Sequence, residues 1–395
     1  MMSSIFVARH LGPEIYGSYV FIMLVFAYFE NFGRFRTSVS ILPYLKNNKL
    51  HEKTIFSLAF MLSSMISALT IIALFVIGYI FGLFTDYSNW IYIFLAIMII
   101  SESILIFSTY ALVYQEKFKK LAGINIFRQI VQTSGFAYIY FFIPGQSLMP
   151  YLGVYSIAGL VAALGAIYIV RTFINNSFLN YRELDISYYM KMSLKFYMTD
   201  FINFFSRKGI ATFVAAKFSF SNLAFFNMLF SHFELLRFPN SALGAMMYPS
   251  LSKEKYENKQ RAYIARKILF NCAIYIPTLL IAYFLYPKLV LLFYGPEYEI
   301  IIQYFPYILL AGAPYLIVYP IGHYFSSNGA PQYEGFILFI SLLIQLISVI
   351  IFSYLNIFTL FNAVVSQAIG FIGFTVVLLV LYSFKQLAPI QNEEA

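Results

Sequence analysis

The amino-acid sequence predicts an all-α polytopic membrane protein, with about twelve transmembrane helices in two six-helix halves. Three observations lead there. Hydrophobic residues make up 61% of the 395 and charged residues only 11%, with a mean hydropathy of +0.76, whereas a soluble domain gives roughly a quarter of its residues to charge. The apolar runs are continuous over the ~20 residues a helix needs to cross a bilayer, not alternating as in a barrel. A faint copy of the first stretch also returns in the second half: Phe6-Val7-Ala8 recurs as Phe213-Val214-Ala215, and the Pro43-Tyr44-Leu45 stop as Pro249-Ser250-Leu251.

Taken in order, Met1–Arg9 is too short to span and reads as the tail of a first helix. A turn at Leu11-Gly12-Pro13-Glu14 introduces the second span, Ile15–Leu42, followed by Thr54–Leu83, Trp90–Tyr114, Leu121–Ile143, Pro150–Val170 and Ser193–Ala216. The remaining spans are Asn222–Tyr248, Tyr263–Phe293, Ile301–Phe325, Gly335–Tyr354 and Thr359–Phe384. These place an N-terminal lobe at 1–175, a linker at 176–192 and a C-terminal lobe at 193–395. Gly12-Pro13-Glu14 and Gly295-Pro296-Glu297 each precede a span, where proline near the first turn and an acid after it favour a helix start. Both read as helix punctuation.

Lysine and arginine are concentrated in one alternating set of loops, from Lys46, Lys49 and Lys53 through Lys117, Lys119, Lys120 and Arg128 to Lys385. The opposite loops hold Arg9, Lys217 and Lys288. By the positive-inside rule both termini face the cytoplasm. The net charge of +9 is therefore topological and does not indicate a nucleic-acid partner. No cleavable signal peptide is expected, and Cys272, the single cysteine, is expected to be buried.

Charged side chains inside spans insert at a cost of ~2.5–3.5 kcal/mol each and usually face protein or an aqueous cavity. The basic set is Arg34, Arg36, Arg207, Lys208 and Arg237; the acidic set is Glu30, Glu102, Asp200 and Glu234. Aligned on the internal repeat, Arg34 and Arg36 fall in the inner half of a second helix ending at Pro43, either lining a cavity or snorkelling to head groups. Asp200 and Arg207 share a helix face, as a structural pair or as part of a cationic wall made with Lys208. Arg237 follows Glu234 by three residues, so that pair can neutralise itself on one face. Glu102 has no base nearby in sequence. Unless another helix supplies one, desolvation would favour its protonated form, so it reads as a proton-coupling site or an interhelical hydrogen bond. His232 and His323 read as satisfied interior histidines. Nothing in the sequence selects which tyrosines face a cavity.

Neither a phosphate-binding G-x-x-x-x-G-K-[ST] loop nor an H-E-x-x-H or G-x-S-x-G motif occurs, which argues against ATP hydrolysis and hydrolase chemistry. No metal or other cofactor is expected, because no ligand spacing for one occurs. A transporter fits better than an enzyme.

Ala8-Arg9-His10-Leu11-Gly12-Pro13-Glu14-Ile15-Tyr16-Gly17-Ser18-Tyr19 resembles the A-R-x-L-G-P-E-x-Y-G-x-Y signature of O-antigen and capsule flippases in the multidrug/oligosaccharidyl-lipid/polysaccharide exporter superfamily. Pro249-Ser250-Leu251-Ser252-Lys253 resembles that family's P-x-L-S-K, and Leu292-Phe293-Tyr294-Gly295-Pro296-Glu297-Tyr298 its L-F-G-x-x-Y loop. The resemblance implies a MATE-like fold whose two lobes, related by an axis along the membrane normal, enclose a cavity that opens alternately to each side. It further implies translocation of an undecaprenyl-pyrophosphate-linked oligosaccharide across the bacterial cytoplasmic membrane, alongside a polysaccharide polymerase and a chain-length regulator. Cavity cations would hold the pyrophosphate or acidic sugars, a role open to Arg34, Arg36, Arg207, Lys208 and Arg237. Two other functions stand beside this one: a cation-coupled multidrug exporter of the same fold, and a glycan polymerase or ligase, which would usually carry a large outside loop.

Overall fold

The computed structural model describes residues 2–35, 37–41, 44–45, 52–85, 87–171, 185–237, 239–240, 243, 247, 251, 257–327 and 331–384. It is helical throughout, with no strand among the described residues. The helices are α1 (Met2–Arg34), α2 (Glu52–Ile80), α3 (Trp90–Tyr114), α4 (Phe118–Phe142), α5 (Met149–Val170) and α6 (Ile186–Lys217), then α7 (Phe220–Leu236), α8 (Glu257–Phe293), α9 (Ile300–Val318), α10 (Pro320–Ser327), α11 (Pro331–Tyr354) and α12 (Leu360–Phe384). Eight of the described helical segments are long and apolar enough to cross a membrane. Helix α4 is diluted by Asn125, Arg128, Gln129 and Gln132 and falls short in hydropathy, α6 carries too much charge, and α7 has only 17 residues. The protein is a multi-pass membrane protein. Its exposed side chains include Leu69, Ile72 and Phe81 around α2 and Leu280, Ile281 and Phe284 on α8, while serines, asparagines and glutamines are buried, as expected where lipid replaces water outside.

Glycine sets two breaks in the helical backbone. Gly12 (φ 70°, ψ 170°) kinks α1 between the first stub and the long segment beginning at Pro13. Gly295 (φ 98°, ψ 173°) takes nearly the same conformation ahead of a 3₁₀ turn at Pro296–Tyr298. That backbone region is open essentially only to glycine. The punctuation expected of both Gly-Pro-Glu runs is what the backbone shows. The repeated tripeptide also occupies equivalent places, just before a break, with Val7 and Val214 both fully buried.

Several helix ends differ from expectation. The second span was expected to run to Pro43, but α1 ends at Arg34 and Phe35 takes a left-handed φ of 34°. Arg36 lies outside the described residues, as does the side chain of Arg34. The span expected over Asn222–Tyr248 is helical as α7 only to Leu236, with Arg237 as its C-cap. The Ile301–Phe325 span is interrupted at Tyr319, because Pro320 cannot donate an amide to continue α9 and instead begins α10. Cys272 is half-buried, not buried. Most of the 176–192 linker and four of the five residues of the Pro249–Lys253 motif fall outside the described residues.

The chain divides into two compact units, Met1–Phe201 and Ile202–Ala395. In the first, α3 packs most extensively on α5. Small residues explain the approach: Ala158, Gly159, Ala162, Ala163 and Ala166 share one face of α5, and a Cβ added at Gly159 would already touch Ser101 at 3.4 Å. Small faces let membrane helices come close without a hydrophobic driving force between them. Phe56 of α2 and Phe107 and Leu112 of α3 fill the core beside them. In the second unit α12 packs on both α11 and α9, and α8 on α9.

Candidate functional site

Four charged side chains of the second unit converge on one cavity of about 240 Å³, lined from α6, α7, α9, α11 and α12. Arg207 and Lys208 enter from α6, Glu234 from α7 and Arg237 from its C-cap. Glu234 is shared between two guanidinium groups. Arg207 donates to its Oε2 at 2.7 Å, and Arg237 donates to Oε1 at 2.9 Å and Oε2 at 3.1 Å. Arg237 also lies over the rings of Tyr315 and Tyr319, at 5.1 and 5.8 Å from their centroids, an attractive placement for a cation.

Exposure separates the two arginines. The side chain of Arg237 is 18% exposed and that of Arg207 47%. Arg237 is thus the fixed member, gripped by a carboxylate and two rings, and Arg207 the accessible one. With Lys208 included, three cations face one carboxylate, so the cavity is positive even with Glu234 ionised. Such a wall can bind an anion through charge-assisted hydrogen bonds, bidentate where guanidinium meets phosphate or carboxylate.

The structure brings Arg207, Lys208, Glu234 and Arg237 together. The pairing of Arg237 with Glu234 is the one their spacing suggested. Arg207, for which a pair with Asp200 was one of two readings, pairs with Glu234 on the next helix. Asp200 lies on the part of α6 that belongs to the first unit. Glu30 is half-buried near the end of α1.

Glu102 has the base that its sequence neighbourhood lacked. Arg128 of α4 reaches across to it and donates through Nη2, with the two side chains 15% and 12% exposed. The guanidinium also sits 5.6 Å from the centroid of the Tyr155 ring on α5. Arg128 was counted with the loop cations because it follows Lys117, Lys119 and Lys120, yet it lies in the interior of α4. The pair ties α3 to α4 and removes the premise of an uncompensated carboxyl.

Of the histidines, His232 is satisfied on both sides, by the Tyr286 hydroxyl at Nδ1 and the Tyr294 hydroxyl at Nε2, each at 3.0 Å. His323 meets Tyr319 edge-on, but its buried Nε2 has no hydrogen-bond partner. No cluster able to hold a metal ion occurs among the described residues.

Residues 6–303 match the polysaccharide biosynthesis protein family. The chain belongs to that family. Its fold is that of transporters in the MOP superfamily. An inward-facing multidrug resistance MATE family transporter superimposes with a TM-score of 0.75 at 12% identity, over 97% of this chain and 92% of that one. The lipid II flippase MurJ, in an inward closed conformation, gives 0.71 at 16% identity, over 97% and 84%. A MOP superfamily transporter from Pyrococcus furiosus gives 0.63 at 13% identity, over 97% and 90%. No curated relative matches the chain.

Proposed function

We propose that this protein is a flippase that moves an undecaprenyl-pyrophosphate-linked oligosaccharide repeat unit across the bacterial cytoplasmic membrane for O-antigen or capsule assembly. Both termini face the cytoplasm. Lobes at 1–175 and 193–395 alternate access to the glycan head while the lipid tail stays in the bilayer. The family membership supports a place in polysaccharide biosynthesis, and the likeness of fold to a lipid II flippase is in keeping with a lipid-linked cargo. The observation that carries the reading is the charge balance in the second unit: Arg207, Lys208 and Arg237 share a cavity with one carboxylate, Glu234. A diphosphate entering a low-dielectric cavity needs such a surplus, whereas a cationic drug would be repelled by it. Arg34 and Arg36 are further contributors in this proposal, as are the polymerase and chain-length regulator as partners.

Arg207→Ala and Lys208→Ala are each expected to abolish surface polysaccharide while membrane abundance is unchanged, read by glycan staining and immunoblot of the same cells. Normal display by both variants would defeat the cationic-wall reading.

A further inference from the structure

The first unit carries a groove of its own, of about 340 Å³, where α4 and α5 pack side by side. Its floor is made by missing side chains. Gly123 of α4 and Gly165 of α5 are both exposed, and each has open space where a Cβ would sit. Ala162, one turn before Gly165, adds only a methyl group. Phe127 and Ile169 stand along the sides, and apart from Lys120 every lining residue is apolar. The other glycines of these two helices have a packing reason: Gly135, Gly153 and Gly159 each meet a side chain of the neighbouring helix. Gly123 and Gly165 meet nothing, although glycine weakens a helix interior relative to alanine. What they supply is room.

Charge distinguishes the two ends of the groove. Lys120 lines one of them, and the residues around that end are basic. Lys117 is the N-cap of α4 and Lys119 follows within its first turn. Arg171, the C-cap of α5, lies over the Tyr168 ring at 4.3 Å from its centroid. Glu116 is the one acid between Gln115 and Arg128. The opposite end is bounded by Phe127 and Val161 and has no charge in its lining.

An occupant that matches both ends has an apolar tail and an anionic head. From Lys120 to Phe127 the groove follows ~10 Å of helix, against ~15 Å for half of a bilayer's hydrocarbon core, which suits one acyl chain lying along the helices. The lysine stem can follow that chain while its ammonium stays at head-group level, and basic pockets between membrane helices bind anionic head groups. A second protein copy fits less well, since a stable dimer buries ~1,200–2,000 Å², far more than two helical turns of groove offer. We propose that the α4–α5 groove is a binding site for one anionic phospholipid, with an acyl chain over Gly123 and Gly165 and the head group at the basic end marked by Lys120. The proposal does not depend on the flippase reading.

The test uses the full chain purified in detergent and titrated with phosphatidylglycerol, phosphatidylcholine or undecaprenyl phosphate. Native mass spectrometry reads the outcome, because bound lipid and dimer give separate masses. Phosphatidylglycerol is expected to bind about tenfold more tightly than phosphatidylcholine with the same chains, equivalent to ~1.4 kcal/mol. Lys120→Gln is expected to lower phosphatidylglycerol affinity about fivefold, the effect of one basic residue near an anionic head group, and to leave phosphatidylcholine unchanged. Gly123→Leu and Gly165→Leu fill the floor and are each expected to remove the high-affinity lipid adduct. Where a leucine does not fold, methionine fills the same space with a more adaptable side chain. Alanine at either position, measured without lipid, is expected to keep or raise the unfolding midpoint. Equal affinity for the two phospholipids, or phosphatidylglycerol binding that survives in the filled variants, overturns the proposal. Tighter binding of undecaprenyl phosphate also overturns it and assigns the groove to a cargo tail. A dimer mass lost in the filled variants assigns it to a second copy, and a lowered midpoint in the alanine variants to another segment of this chain; either result overturns the proposal.

Discussion

Replacing Glu102 by glutamine separates two roles that a membrane carboxylate can have. The substitution keeps the shape and removes the charge, leaving Arg128 among neighbours that are largely shielded from solvent, with its Nε already buried and unpartnered. Removing one partner of a buried ion pair costs about 3–5 kcal/mol, because the other charge is left uncompensated. With the side chains still 12% and 15% exposed, the lower end, about 3 kcal/mol, applies. For a cooperative unit of about 200 residues each kcal/mol lowers the thermal midpoint by roughly 2–4 °C, so Glu102→Gln should lower it by roughly 6–12 °C. Arg128→Met should do the same. The double variant Glu102→Gln/Arg128→Met should recover most of the loss, since neither charge then remains unpaired. Thermal unfolding in detergent, followed by tryptophan fluorescence and by aggregation of the heated protein, reads all four proteins. Single variants with the wild-type midpoint, or losses that simply add in the double variant, would refute the structural role. Loss of proton-gradient dependence in a stable Glu102→Gln protein would restore the coupling reading.

Other outcomes follow from the same geometry. Glu234→Gln removes the anion that Arg207 and Arg237 share, so phosphate affinity of the purified protein should rise by ~3–10-fold, about 1 kcal/mol; a fall would mean that Glu234 organises the arginines and does not compete for them. Gly312→Ala would place a Cβ 2.2 Å from the ring of Phe233, which is fully buried and cannot swing aside. Such overpacking should destabilise the second unit by ~1–3 kcal/mol, and an unchanged unfolding midpoint would contradict the tight contact of α7 with α9. Tyr294→Phe leaves Nε2 of the buried His232 without its partner, and a loss of ~1–3 kcal/mol is expected. The same substitution at the exposed Tyr354 serves as the control, with no change.

The sequence shows its helices well and their partners poorly. Long apolar runs and the Gly-Pro breaks at Gly12 and Gly295 are local signals, and the structure has helices and turns where they predict them. Arg237 with Glu234 was legible for the same reason, since three residues on a helix bring side chains to one face. The Arg207–Glu234 and Arg128–Glu102 pairs join residues 27 and 26 positions apart on different helices, and no periodicity reports which helices pack together. Arg128 was further hidden by the lysines before it. The early end of α1 depends on Phe35 adopting a left-handed backbone, which no phenylalanine announces. Gln345 and Gln367, which also line the cavity, were readable as polar residues inside apolar runs, but candidates were sought among charged residues, histidines, tyrosines and the cysteine.

The sharing of Glu234 also bears on how the protein is made. Helix α6 carries Arg207 and Lys208 into the membrane, whereas α7 brings Glu234 together with Arg237. Inserted singly, α6 would present both cations to hydrocarbon, each at ~2.5–3.5 kcal/mol. Only the tight turn between Lys217 and Phe220, with Ser219 capping α7, brings the carboxylate within reach of Arg207. The two helices are therefore best delivered to the bilayer as a hairpin, and the cavity's counter-ion serves as an insertion partner before any cargo exists for it to yield to.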